Sequence, residues 1–285
     1  MSFEDVMGTV MQWQVAGEAL AALGAELTLQ QSGEDAPPEI LEALRGVSLA
    51  AGLEVDDLNP QQRAIVIGLV HTLVHQSTDL LTEPARTAGW KFVDPIILDG
   101  WGRASALVPN LIAGVRELQK LNSFLDVGTG VGLLAVAAAG VWPDAKIVGI
   151  DIWDPSLERA QTNVARAGLQ DRITLRNQNL TDLDDVDAFD GIWLPSFFMT
   201  EDVLIKGLPA LHRALAPGGH IAFGLMESPP NPLAHAVATL RTVRSGGAQL
   251  DAKRAAQLLE DAGFTSVHEA AKTAPVPVGL VIGAK

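Results

Sequence analysis

The chain has 285 residues, enough for one large domain or two small ones, each with a buried core. Its 34 acidic residues outnumber 20 scattered basic ones, and the resulting formal charge of −14 argues against a nucleic-acid partner, because an acidic surface repels phosphate. With no cysteine there is no disulfide, thiolate nucleophile or cysteine metal site, and with no tyrosine there is no phenolic base, so stacking falls to Trp and Phe.

No apolar run approaches the ~20 residues of a membrane span, and Met-Ser-Phe-Glu-Asp lacks the basic start and apolar centre of a secretion signal, so the expectation is a cytoplasmic protein with no membrane partner. Residues 1–106 read as helical. Ser2 and Asp5 form a capping box ahead of an apolar stripe of Val6, Val10, Trp13 and Leu20. Residues 33–38 break that helix, and a second, 39–51, carries Ile40, Leu41, Leu44 and Val47. Asn59-Pro60 opens the longest apolar helix, 61–81. Along it His71, His75, Asp79 and Glu83 recur every four residues; the row reads as a solvated or cleft-lining face, and no metal is expected. Residues 87–105 hold Trp90 and Trp101 amid glycines, a composition that suits either a lid or packing of an interdomain seam.

After a helix over 107–121, Phe124-Leu125-Asp126-Val127-Gly128-Thr129-Gly130-Val131-Gly132 reads as a buried parallel strand, a tight turn and the start of a helix. The dinucleotide pattern Gly-x-Gly-x-x-Gly fails, because Leu133 stands at its last position. Asp126 would repel a pyrophosphate docked at the helix N-terminus and would favour a cationic, phosphate-free nucleoside instead. A second buried strand, 146–151, also ends in an acid, Asp151, placed to accept from ribose hydroxyls. Further on come a helix from Asp154-Pro155, strands 172–175 and 189–195, a helix 203–214, a turn at Pro217-Gly218-Gly219 and a strand 220–225. Helices 233–243 and 252–262 and strands 264–268 and 278–282 close the count at seven strands, the last pair antiparallel.

The Asp126 to Gly132 run, Asp151, and Leu215-Ala216-Pro217-Gly218-Gly219, in that order, resemble the class I (Rossmann-like) S-adenosylmethionine-dependent methyltransferases over roughly the last three fifths of the chain. The resemblance implies an α/β fold in which a seven-stranded Rossmann-like sheet, 107–285, follows an all-helical domain, 1–106. It implies S-adenosylmethionine as cofactor and S-adenosylhomocysteine as product, held by Asp126, Gly128, Thr129, Gly130, Asp151, Ile152, Asn179, Leu180 and Leu194. Asn179 stands where the family often has an acid that reads the adenine amine; its amide can both accept and donate. Amino-methylating members carry Asn/Asp-Pro-Pro-Tyr/Phe at the end of the fourth strand. Leu194-Pro195-Ser196-Phe197 here points instead to a small, largely apolar acceptor, bordered by Trp101, Ser196, Phe197 and Phe198. Among acid–base candidates that also include His75, Asp94 and Asp99, Glu227 and His71 are favoured.

The expected function is methylation of a small molecule at oxygen, nitrogen or carbon. Two alternatives stand beside it: a non-methylating rearrangement or decarboxylation that uses the same cofactor, and a non-catalytic cofactor-binding module. A homodimer through the helical region is expected, since Trp13 and its neighbours need covering.

Overall fold

The computed structural model describes residues 1–227, 229–272 and 276–285. The chain divides into two compact units, Met1–Pro84 with Asp94–Ala104, and Ala85–Val93 with Ser105–Lys285. The sheet unit thus takes in residues 85–93 and 105–106, which lie before the boundary expected at 106–107.

The helical unit is built on α1 (Phe3–Ser32), α2 (Pro38–Ala50), α3 (Pro60–Thr82) and α4 (Pro95–Ser105, of which the last residue belongs to the other unit). Both expected caps form: Ser2 with Asp5 at the start of α1, and Asn59 with Gln62 at the start of α3. Gly33, at φ 67°, ends α1 in the left-handed region. Contacts between α1 and α3 are close, since a Cβ on Gly24 would stand 2.7 Å from Val70 Cγ1. Helix α4 was not legible as a helix; it packs on α3 where Gly68 meets Gly100, and a Cβ on Gly100 would overlap Thr72 Oγ1. By length and composition alone α3 is apolar enough to cross a membrane, contrary to the expectation that no such run exists. His71, His75 and Asp79 interrupt it, and Gly68, Val70 and Thr72 are buried within the unit.

In the sheet unit the expected helix over 107–121 is shorter, α5 (Val108–Ala113) plus a 3-10 turn at Arg116–Leu118. Seven strands follow: β1 (Ser123–Val127), β2 (Lys146–Asp151), β3 (Ile173–Asn177), β4 (Phe189–Pro195), β5 (Leu215–Met226), β6 (Thr265–Glu269) and β7 (Val278–Ala284). Their order is β3-β2-β1-β4-β5-β7-β6, with β7 antiparallel to both its neighbours. Strand β5 starts earlier than expected, because the turn at Gly218 is absorbed as an irregularity in its pairing with β4. Between the strands lie α6 (Leu133–Val141), α7 (Asp154–Arg166), α8 (Glu201–Ala214), α9 (Pro232–Arg244) and α10 (Ala252–Asp261).

Alternation along the strands fills both faces of the sheet. Phe124, Trp193, Ala222 and Ile282 join α5 and α6 in one core. Leu125, Val127, Ile192, Leu194, Phe223 and Val281 join α8 and α10 in the other. Strand order reverses at β1, so β1 and β4 diverge in connection and leave a crevice at their carboxyl ends, where such sheets take ligands.

Candidate functional site

At that crevice the chain turns from β1 to α6 through Gly128, Gly130 and Gly132, with φ of 70°, 55° and 74°. Each value lies in the region that costs an L side chain ~1–2 kcal/mol. Gly128 and Thr129 donate their N–H groups to Ile150 O, which ties the loop to β2. A Cβ on Gly132 would stand 3.0 Å from Ala160 Cβ, so this glycine lets α6 and α7 approach. One on Gly130 would meet nothing nearer than 4.0 Å, so the loop is open there.

Asp126 is fully buried. Thr129 Oγ1 donates to its Oδ2 at 2.7 Å, and its Oδ1 has no hydrogen-bond partner. Burial raises this carboxyl to about 7, opposed by the Thr129 bond and reinforced by the charge of Asp151. Asp151, at the end of β2, accepts from Gly130 N–H at 2.8 Å through Oδ2 and from Trp153 N–H at 2.9 Å through Oδ1. Burial raises its carboxyl too, against those backbone donors. Each oxygen retains a lone pair for a further donor. Beside it Ile152 is 65% exposed, an apolar surface next to a polar clamp.

This geometry fits an adenosine cofactor that carries positive charge. An orphaned acidic oxygen, an open glycine bend and a strand-end carboxylate with spare acceptor capacity all converge on the carboxyl ends of β1 and β2. Residues 124–219 match the profile of a family described as a methyltransferase domain.

A methyltransferase domain thus covers residues 124–219, about a third of the chain, from β1 to the turn in β5. In sequence, the chain is 36% identical to a ribosomal protein uL3 glutamine methyltransferase from Bordetella pertussis over 137 residues, which are 47% of this chain and 46% of that protein. The chain thus spans about half the length of the curated relatives it matches. In structure, an O-methyltransferase family protein from Burkholderia thailandensis superposes with a TM-score of 0.71 at 15% identity, covering 100% of this chain and 98% of the other. Human N-acetylserotonin methyltransferase, solved with its cofactor, gives 0.69 at 13% identity, covering 100% and 99%. At such identities the likeness shows the fold, helical region included.

Several residues of the expected site face elsewhere. Thr129 turns its hydroxyl inward to Asp126 and its N–H to Ile150 O, so neither is offered to a ligand. Leu180 and Leu194 are buried in the core shared with α8, and a Cβ on Gly207 of α8 would meet Leu180 Cγ at 2.4 Å. Their side chains are core, so only backbone groups remain to them as contacts. Asn179 caps a 3-10 turn: its Oδ1 accepts from Thr181 N–H at 3.0 Å and from Thr181 Oγ1 at 3.1 Å, so the amide's donor half is the part left uncommitted by these bonds. Asp154 does not cap α7; its Oδ1 accepts from Asn177 Nδ2, and Trp153 holds the cap position.

On the acceptor side, Ser196 is buried and donates to Gly224 O at 2.9 Å, which fastens the end of β4 to β5 and removes it as an orienting hydroxyl. Phe197 packs 4.8 Å from Phe198 and 6.5 Å from Trp193. Glu227, just past β5, is ion-paired with Lys272. That contact commits one of its carboxylate oxygens to the Lys272 ammonium. His71 and Trp101 belong to the helical unit, where His75 Nδ1 lies 3.3 Å from the His71 carbonyl and His75 Nε2 lies 3.4 Å from Asp94.

Met199, which sequence reasoning missed, borders the bend together with Pro195. The site of an added Gly128 Cβ lies 3.3 Å from Met199 Cε and 3.7 Å from Pro195 Cγ, so these two face the glycine loop from the end of β4. Gly149 is the unread counterpart of Thr129, since a Cβ there would stand 2.7 Å from Thr129 Oγ1.

Proposed function

We propose that this protein transfers the methyl group of S-adenosylmethionine to a small, largely apolar acceptor, and that it acts as a homodimer through its helical region. The observation that carries this reading is the open bend at Gly128 and Gly130 beside the Asp151 carboxylate. The acceptor class is supported by the end of β4, where Pro195, Phe197 and Phe198 stand in place of an amide-gripping set, and by the whole-chain likeness to O-methyltransferase folds.

When bound, the cofactor supplies an activated methyl group for in-line displacement. The chain's own residues hold and orient. Asp151 would anchor the ribose hydroxyls, the bend would admit the nucleoside without a Cβ in its way, and Ile152 would lie along the adenine. Met199 and Pro195 would exclude water from the crevice wall. Positioning of this kind supplies most of what such a displacement needs.

Calorimetry should show S-adenosylmethionine and S-adenosylhomocysteine binding at micromolar levels. Asp151→Ala, which removes the partner of two backbone donors, should weaken binding by about 3 kcal/mol, roughly a hundredfold. Absence of binding to the parent protein would end this reading. A second reading is favoured by the commitment of Glu227 to Lys272 and of Ser196 to Gly224. No base is left at the β4 and β5 ends among those expected, which suits an acceptor that is already nucleophilic, or a cofactor-dependent rearrangement without methyl transfer. The presence or absence of one added methyl in the product mass separates the two.

A further inference from the structure

Residues 85–93 have no regular secondary structure, yet they are fixed to the sheet unit at two separated places. At one, the indole N–H of Trp153 donates to Phe92 O at 2.8 Å. At the other, Trp90 packs edge-on to Phe198 at 5.4 Å, Gly89 N–H donates to Arg244 O at 3.0 Å, and Gly89 meets Gly246 so closely that a Cβ on Gly246 would lie 3.1 Å from Gly89 Cα. The segment is braced internally as well. Arg86 Nη1 donates to Gly89 O at 3.0 Å while its guanidinium lies 5.6 Å from the Phe92 ring centre, and Trp90 meets Phe92 at 5.2 Å.

The two anchor points belong to different strands. Trp153 follows β2 by two residues, and Phe198 follows β4 by three. In strand order β1, with its glycine bend, lies between them. Two inter-strand spacings are about 10 Å. From Trp90 to Phe92 an extended backbone covers about 7 Å, and the two side chains close the rest. Residues 90–92 thus cross from the ribose side of the bend to the acceptor side. Trp153 also donates its backbone N–H to Asp151 Oδ1, so one residue touches both the ribose clamp and the crossing segment.

We propose that residues 85–93 form a strap that closes over the cofactor, and that Trp153 is the positioning residue that fastens it. This rests on the cofactor reading above. Ordering of Asp151 by a bound ribose holds the Trp153 backbone, aims the indole at Phe92 O, and through Trp90 sets the wall against Phe198 that an acceptor meets. Binding and fastening then favour each other, as coupled equilibria must.

Hydrogen exchange on the full chain with S-adenosylhomocysteine as probe tests it. In the parent protein, saturating ligand should slow exchange at amides 86–93 by tenfold or more. Trp153→Phe keeps the ring and the backbone donor to Asp151 but loses the indole N–H. It should keep the protection of β1 and β2 amides, yet show 86–93 exchanging as in the ligand-free protein, with the ligand leaving several-fold faster. Trp90→Ala should give the same loss from the other anchor, with the protection of β1 and β2 amides in the same run reporting that the sheet is folded. Equal ligand-dependent protection of 86–93 in the parent and both variants would overturn the proposal, as would a parent whose strap ignores a ligand that calorimetry shows to be bound. No calorimetric binding at all would overturn the cofactor reading, and the strap with it.

Discussion

Asp126 is the residue where burial and charge disagree most. Its carboxyl is raised from 3.8 to about 7 by desolvation, so the protein takes up a proton on folding at any pH between those values. The stabilising contribution of the protonated form is therefore fully present below about pH 4, is lost as pH rises through 7, and amounts to up to roughly 4 kcal/mol. A bound cation reverses the preference, because it favours the ionised form. Two outcomes are expected. Asp126→Asn, which can still accept from Thr129, should melt several degrees above the parent near pH 8 and converge with it only near pH 4, by scanning calorimetry. S-adenosylmethionine should bind the parent about tenfold more tightly near pH 8 than near pH 6, and bind Asp126→Asn with little pH dependence. Parallel melting profiles for the two proteins would show that Asp126 does not carry the effect. The sequence showed that an acid precedes the bend; it did not show that Thr129 would claim one of its oxygens. The signal was present in Gly149, which leaves room for that threonine, but a strand glycine reads as packing until the neighbouring strand is in place.

Elements were legible where a local pattern had no rival. Strand β2 and strand β4 stand at the bounds read from their apolar runs, and the Ser2 capping box and the Asn59 cap both formed. Helix α4 escaped notice because Gly100 and Gly102 argue locally against a helix, whereas the contact of Gly100 with Gly68 is visible only in three dimensions. Leu180 and Leu194 were assigned to the cofactor by motif position, and the alternation of a buried strand and the approach of α8 put their side chains in the core instead. Glycines separate the two kinds of constraint experimentally. Gly140, in α6, has nothing within 4 Å of an added Cβ, so Gly140→Ala should stabilise by about 0.5–1 kcal/mol. Gly149→Ala should cost about 1–3 kcal/mol and push Thr129 off Asp126, lowering cofactor affinity as well. Urea unfolding of both variants checks the pair; a Gly149→Ala protein as stable as the parent would mean that Thr129 moves aside freely.

At the scale of the whole molecule the unanswered demand is the first half of α1. From Phe3 to Glu18 every residue is exposed except the half-buried Met7, and the exposed set includes Phe3, Val10, Met11, Trp13 and Val15. Those residues extend for about 24 Å of helix. A helical stretch of this length is marginal in water without packing, and an exposed apolar patch of this kind marks an interface. The exposed Ile40, Leu41 and Val47 of α2 add to it within the same unit. A second copy of the chain is the proposed cover. Light scattering should then give the mass of two chains at micromolar concentration, and the melting temperature should rise with protein concentration. Trp13→Glu combined with Phe3→Glu puts charge into that face, and should give the mass of one chain with the first half of α1 losing helicity. The sheet unit should still bind S-adenosylhomocysteine, since its bend, Asp151 and strap lie wholly within that unit. A parent protein with the mass of one chain at every concentration would remove the dimer while leaving the cofactor site untouched.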